Sequence, residues 1–302
     1  MAAIQETEKI WFNGKFVKWK DAKIHVLTHS LHYGSGVFEG IRCYHTEKGP
    51  AIFRLKEHVN RLFASGEILN LKIPYSKDEI FKAIVETVKV NKVESCYIRP
   101  IVFFGYGEVG LNTKNCKVDV AVICFPFGTY LGEEALKKGV RLCISSYKRY
   151  NGPLNKAKIC GNYYHSSLAK VDALDRKYDE AIMMDDRGYV AEATGENLFI
   201  IKNGVLITPS PGSILLGITR DSIMTIAKDL GMEVREQNIT KEELYNADEA
   251  MLTGTAAECT PINSVDSHNL KRIDIALKLQ KAYFDVVNGK NKKYEKWLTV
   301  VK

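Results

Sequence analysis

The chain lacks the signatures of several common protein classes. No apolar run approaches the roughly 20 residues of a membrane span, so no membrane partner is expected. The start, "MAAIQETEKIWF", has no basic segment followed by an apolar one, and no secretory leader is read there. Seven cysteines are scattered without a CxxC pair, and several lie in strand-like runs such as "DVAVICFPF" and "VRLCISS". That usage suits reduced, buried thiols and a cytoplasmic protein. His29 and His32 of "THSLHYG" have no further ligands at metal spacing, and no metal is expected. There is no P-loop, no GxGxxG opening a helix after a strand, and no GxSxG elbow. No run of five like charges occurs either. The net charge of +7, from 43 basic and 36 acidic residues, is therefore too diffuse for a nucleic-acid surface, although small anions could be drawn.

What is present is ordinary soluble composition, 45% apolar and 26% charged over 302 residues, enough for two modest cores. Asn13-Gly14 between "KIWF" and "KFVKW" predicts a hairpin. Leu55, Val59, Leu62 and Phe63 recur at helical spacing up to Gly66, and "SKDEIFKAIVETVKVN" adds a helix with Ser76 as N-cap and Glu79 set for a capping box. "SCYIRPIVFFGYG" and "KVDVAVICFPFG" read as strands. The pattern divides into an α+β domain over residues 1–130, a connector over 131–138 (inside "GTYLGEEALKKG") and a second domain over 139–302. In the latter, "VRLCISSYKR" begins a new hydrophobic pattern and a helix runs to about Lys177. Three short strands follow, with turns at Asp186-Arg187-Gly188 and Asn203-Gly204. Helices are then predicted at "TRDSIMTIAKDLG", "TKEELYNA" and "IDIALKLQKAYFDVVNG", with a strand at "EAMLTGTAAECTPI" running into a Gly/Thr turn.

Five stretches could carry chemistry. "YGSGVFEG" and "TGTAAE" are turns, or cradles whose N–H groups hold a phosphate or carboxylate. Glu192 and Glu196 of "AEATGENLF" either face solvent at a strand edge or sit against a cation. Arg99, flanked by continuous apolar sequence, is a structural ion pair or a carboxylate clamp, and spacing alone does not choose. In "NKAKICGNYYHSSLAK", Lys156 and Lys158 stand where a Gly/Pro/Asn-rich loop gives way to helical periodicity; either could be surface charge.

"WFNGKFV", "LHYGSGVFEGIRCY", "FRLKEHVNRLFASG", "YIRPIVF", "KICGNY", "EATGENLF", "LLGITRDSI" and "TGTAAECTPI" follow one another from Trp11 to Pro261, and together they closely resemble the branched-chain amino acid aminotransferases, fold-type IV pyridoxal-phosphate enzymes. The resemblance implies a small α/β domain and a larger domain with a β-barrel-like core, the active site between them. It implies a transaminase moving the α-amino group of leucine, isoleucine or valine to 2-oxoglutarate, with pyridoxal 5′-phosphate as cofactor. By the family's K-x-x-G-N-Y segment, Lys158 is the lysine bonded to the cofactor, and Lys156 is a solvated neighbour. Tyr163 resembles the tyrosine on the phenolic oxygen, and Glu192 the carboxylate on the pyridine nitrogen. The phosphate falls to Arg61, Ile218, Thr219 and Thr255, and Leu216 to the ring face, although Leu-Leu-Gly stands where relatives often have Leu-Pro-Gly. Tyr33, Phe38, Gly40 and Tyr130 resemble the lining for an aliphatic side chain, with Phe127 in place of a tryptophan of some relatives. Arg99 resembles the clamp for the distal carboxylate, and Ala256 and Ala257 offer N–H groups to the α-carboxylate. A homodimer, or a hexamer of dimers, is implied. The competing readings are D-amino acid or amine transamination, aminodeoxychorismate lyase chemistry, and a non-catalytic cofactor carrier.

Overall fold

The computed structural model describes residues 4–302, so Met1–Ala3, where the leader reading begins, lie outside the described residues. The chain forms two compact units. Unit 1 comprises the chain up to Phe127, Ala157–Asn162 and Val286–Lys302. Its elements begin with strands Lys9–Phe12 (β1) and Lys15–Lys18 (β2), helix His29–Tyr33 (α1) and strands Gly36–Phe38 (β3), Ile41–Thr46 (β4) and Gly49–Phe53 (β5). Helices Leu55–Ile68 (α2) and Lys77–Val90 (α3) and strands Cys96–Phe104 (β6) and Val118–Phe125 (β7) follow. Asn13 and Gly14 close the β1–β2 hairpin at φ 48° and 89°, the doubly positive geometry of a two-residue hairpin turn, with Phe12 opposite Lys15. Ser76 and Glu79 make the reciprocal capping box that starts α3. The sheet is antiparallel and runs β5-β4-β6-β7-β1-β2, with β3 on β6. Leu55, Val59 and Leu62 of α2 and Ile80, Ile84 and Val88 of α3 cover one face, packing with Ile52, Ile98, Val102 and Val122.

Unit 2 comprises Gly128–Lys156 and Tyr163–Asp285. In order come helix Glu133–Lys138 (α4), strand Val140–Arg149 (β8), helix Tyr163–Asp175 (α5) and strands Glu180–Asp185 (β9), Val190–Ala193 (β10), Asn197–Lys202 (β11) and Val205–Pro209 (β12). Helix Ile218–Asp229 (α6), strand Val234–Gln237 (β13), helix Lys241–Tyr245 (α7), strands Glu249–Gly254 (β14), Glu258–Val265 (β15) and His268–Asn269 (β16) and helix Asp274–Val287 (α8) complete it. The mixed sheet runs β10-β9-β8-β15-β14-β11-β12-β13. It curls, because β10 at one end also packs against β11 and β12 near the other. The core of this barrel-like unit is Leu142, Ile182, Leu198, Ile200, Leu252 and Ile262. The chain's last strand, Leu298–Val300 (β17), joins unit 1 antiparallel to β5.

These boundaries differ from the division expected at residues 130 and 138. The expected connector is largely helix α4, whose Ala135 is buried in the same core cluster as Val140 and Ile262. The C-terminal residues return to unit 1 because β17 extends its sheet. The short strands β3, β4, β5 and β13 and helix α1 carry no periodicity long enough to read from the sequence.

The third difference concerns Ala157–Asn162. Ala157 and Ile159 are buried in the unit 1 core, and Ile159 bridges antiparallel to Val37. Successive side chains of an extended segment point to opposite sides, so Lys158 is turned away from that core. Phe38 N donates to Lys158 O at 3.0 Å, Lys158 N to Ser65 Oγ at 3.0 Å, and Gly161 N to Gly34 O at 3.1 Å. Gly34 has φ 62°, and a Cβ there would lie 2.6 Å from the Gly161 Cα. Gly34→Ala should therefore cost about 2–4 kcal/mol of stability. A lowered midpoint in thermal unfolding checks it, and an unchanged midpoint would contradict this account of the docking.

Candidate active site

In unit 1 the lysine segment meets a cluster on β3, α2 and β6. Lys158 Nζ lies 4.8 Å from the centre of the Phe38 ring, and the Arg99 guanidinium 4.7 Å from the same centre. Two cations thus share one aromatic ring, which attracts each through its quadrupole. Arg99 also donates Nη2 to the Tyr97 hydroxyl at 3.1 Å, while its Nε is buried without a hydrogen-bond partner among the described residues. An orphaned guanidinium N–H beside a lysine favours an anionic ligand.

The next residue after Phe38 is Glu39, fully buried. Arg61 gives it Nε at 2.6 Å and Nη2 at 2.9 Å, a bidentate fork, and His58 Nδ1 stands 2.7 Å from its Oε2. Burial opposes ionisation of Glu39, but Arg61 and then His58 outweigh it and hold the carboxyl well below its usual range. Burial pushes the His58 imidazole down, against the pull of Glu39. The set is therefore a carboxylate shared by a guanidinium and a neutral imidazole that donates Nδ1–H. Gly40 follows, and a Cβ there would lie 2.0 Å from the Tyr97 hydroxyl. Lys156 is exposed and Lys158 half-buried.

In unit 2 the corresponding cluster surrounds β10. Glu192 is buried; Arg149 Nε approaches its Oε1 at 3.2 Å, and Asn197 Nδ2 and the Leu215 N–H each reach Oε2 at 3.1 Å. Asn197 also donates to Leu215 O at 2.8 Å, tying Glu192 to the loop that carries Leu216 and opens α6. At α6 the cap residue is Gly217, and no side chain caps the helix, so first-turn N–H groups at Ile218 and Thr219 are presented to an anion. Arg220 anchors that end through the Thr208 hydroxyl, Pro209 O and Glu236. The Gly254–Ala257 turn passes beside Glu196, whose Cγ would stand 3.4 Å from a Cβ on Gly254.

Beneath these lies a second carboxylate, Glu180, bonded by Lys170 Nζ at 2.8 Å, by the Thr194 hydroxyl at 2.7 Å and by the Ala181 N–H at 2.8 Å. Glu196 has the Gly195 N–H at 3.1 Å. Burial, then the nearby Glu180 charge, pushes its carboxyl up to about 8.

The expected residues therefore fall into two sets: Phe38, Gly40, Arg61, Arg99 and Lys158 in unit 1; Glu192, Leu216, Ile218, Thr219, Thr255, Ala256 and Ala257 in unit 2. Tyr163 is the first residue of α5, and Tyr130 lies under the Lys170 ammonium at 5.6 Å. Tyr33 and Leu216 are exposed, Tyr33 with its ring 4.6 Å from that of His29. Sequence reading passed over Glu39, His58, Arg149 and Asn197. The available signal was a charged or amide side chain inside an apolar run, as at Glu39 in "GVFEGI", the same signal that marked Arg99.

The protein-family model described as amino-transferase class IV matches residues 36–265. A branched-chain-amino-acid aminotransferase of Pseudomonas aeruginosa is 49% identical over 298 residues, 97% of each chain. The crystal structure of a T.th. branched-chain amino acid aminotransferase with pyridoxamine 5′-phosphate superposes with a TM-score of 0.95 at 46% identity, over 98% of this chain and 99% of that one. The same T.th. protein complexed with N-(5′-phosphopyridoxyl)-L-glutamate gives a TM-score of 0.94 at 45% identity, over the same shares.

Glu196 predicts a pH dependence of stability. Its carboxyl is raised from an ordinary 4.5 to about 8 in the fold, so its contribution is fully present below about pH 4.5 and is lost as pH rises through about 8. Glu196→Gln carries no such proton. Between pH 5 and 8 the wild-type melting temperature should fall relative to that of the variant by on the order of several degrees. Parallel curves would contradict a neutral Glu196.

Proposed function

The chain belongs to the class IV aminotransferase family, whose members use pyridoxal 5′-phosphate, and from that we propose that it transfers the α-amino group of L-leucine, L-isoleucine or L-valine to 2-oxoglutarate, reversibly. The observation that carries the reading is the fixed, half-buried Lys158 facing Phe38 with Arg99 on the same ring. The residues fit the cofactor: an amine held by its own main chain, a buried carboxylate, a helix N-terminus without a side-chain cap, and an orphaned Arg99 Nε. The glutamate adduct held by the T.th. relative supports glutamate as the partner substrate.

The cofactor, when bound, supplies the electron sink that lets an amino acid release its Cα proton. Lys158 would hold the cofactor's aldehyde carbon through Nζ, and its amine would move the proton at the substrate's Cα. Tyr163 donates to the phenolic oxygen, and Glu192 keeps the ring nitrogen's proton. Arg61, fixed by Glu39, takes the phosphate together with the Ile218 and Thr219 N–H groups and the Thr255 hydroxyl, while Leu216 packs on the ring. Phe38, Tyr33, Tyr130 and Gly40 line the aliphatic pocket, Arg99 receives the distal carboxylate, and the Ala256 and Ala257 N–H groups the α-carboxylate. We infer a cytoplasmic homodimer or hexamer of dimers; among the described residues no helix is long and apolar enough to cross a membrane.

Purified protein mixed with L-leucine and 2-oxoglutarate should form glutamate. Turnover of D-alanine or a primary amine without L-leucine would instead favour the related transaminases, and a cofactor absorbance band with no turnover would favour a carrier. Lys158→Ala should abolish both transamination and the visible band of the lysine-bound cofactor, while Lys156→Ala leaves both nearly intact. Equal loss in the two would sink the assignment. Arg99→Ala should raise KM for glutamate and 2-oxoglutarate about tenfold or more with leucine little affected; a uniform loss would make Arg99 a structural residue.

A further inference from the structure

We propose that Arg149 is a positioning residue for the reaction: it fixes Glu192 in place, keeps it charged, and thereby sets how tightly the chain holds its cofactor. The inference rests on the assignment of Glu192 to the ring nitrogen. Arg149 ends β8, where the sequence shows only a strand terminus in "ISSYKRYNG". Its Nε is 3.2 Å from Glu192 Oε1, its Nη2 donates to the Ser166 hydroxyl at 2.9 Å and approaches Thr194 O at 3.4 Å. Both side chains are nearly closed to solvent, 11% and 8% exposed, so water does not screen the pair.

The charges facing Glu192 make Arg149 more than a hydrogen-bond donor. Glu180 on β9, Glu192 on β10 and Glu196 in the β10–β11 turn are three buried carboxyls. The cations facing them are Arg149 on β8 and Lys170 on α5, the latter bonded to Glu180. The third carboxyl, Glu196, keeps a proton to about pH 8, through burial and the Glu180 charge. Without Arg149, Glu192 loses a buried side-chain cation placed against it. A protonated Glu192 has no charge with which to retain a proton on the ring nitrogen. Asn197 and the Leu215 N–H fix Oε2 but bring no charge, so they cannot replace the arginine.

The test titrates apo-protein with pyridoxal 5′-phosphate and reads its dissociation constant by fluorescence from pH 6.5 to 9.5, independently of turnover. Arg149→Met should weaken binding about tenfold or more at pH 7, and the ratio of its dissociation constant to that of wild type should fall toward one as pH rises and Glu192 ionises. Arg149→Lys should restore most of the affinity. In a Glu192→Gln background, Arg149→Met should add little, because its effect passes through Glu192. A folded Arg149→Met with wild-type affinity at every pH, or an unchanged penalty in the Glu192→Gln background, overturns the proposal. Should Arg149→Met fail to fold, Ser166→Ala removes the anchor of Nη2 and should give a smaller loss, about two- to fivefold, with the same pH trend; no such trend overturns it too. Unaltered affinity in Glu192→Gln alone would refute the ring-nitrogen assignment, while a loss there with none in Arg149→Met refutes only the role of Arg149.

Discussion

Taking a carboxylate out of water costs several kcal/mol unless a cation or several donors meet it, and this chain buries Glu39, Glu180 and Glu249 completely. Each dictates its surroundings. Glu39 draws Arg61 and His58 from two successive turns of α2 onto one point of the β3–β4 connection. Glu180 fixes Lys170 of α5 and the Thr194 hydroxyl to β9. Glu249 meets Arg272 and the first turn of α8, through the Ala276 N–H. Hydrophobic burial places helices on sheets, but it does not dictate which way a polar side chain points. The buried carboxylates do, because misaligned partners would leave a charge uncompensated.

Lys158 is held differently. Its segment is docked by main-chain groups bonded to Phe38, Ser65 and Gly34 and by the apolar neighbours Ala157 and Ile159. Arg61 illustrates the complementary device: two of its nitrogens are committed to Glu39, which sets the plane of the guanidinium and lowers the entropy lost when it meets an anion.

Legibility in the sequence followed the range of the physics. Local rules acted as read: the Asn13-Gly14 hairpin and the Ser76–Glu79 capping box both depend on residues a few positions apart. The barrel-like closure and the return of β17 to unit 1 depend on pairings across long separations, which no window of sequence contains. Among site residues, Glu192 and Arg99 stood out as charges in apolar surroundings, but their partners could not be named. Arg149 lies 43 positions before Glu192 and Arg61 lies 22 after Glu39, so only the fold reveals which charges meet. The eight-motif resemblance compensated for that blindness at Lys158, where composition alone could not separate it from Lys156.

The two clusters differ in sign, and the difference bears on what they hold. Around Phe38 the described cationic side chains are Arg61, Arg99 and Lys158 against one carboxylate, Glu39, with His58 neutral. Around Glu192 the described groups are Arg149 and Lys170 against Glu180 and Glu192, with Glu196 protonated near neutral pH. The first has an excess of positive charge in a setting of low dielectric, suited to phosphate and carboxylate groups. The second sets one cation beside each of its two charged carboxylates, Arg149 on Glu192 and Lys170 on Glu180. A second carboxylate beside Lys158 would remove the first cluster's excess, and loss of either cation from the second would leave a buried carboxylate without that partner.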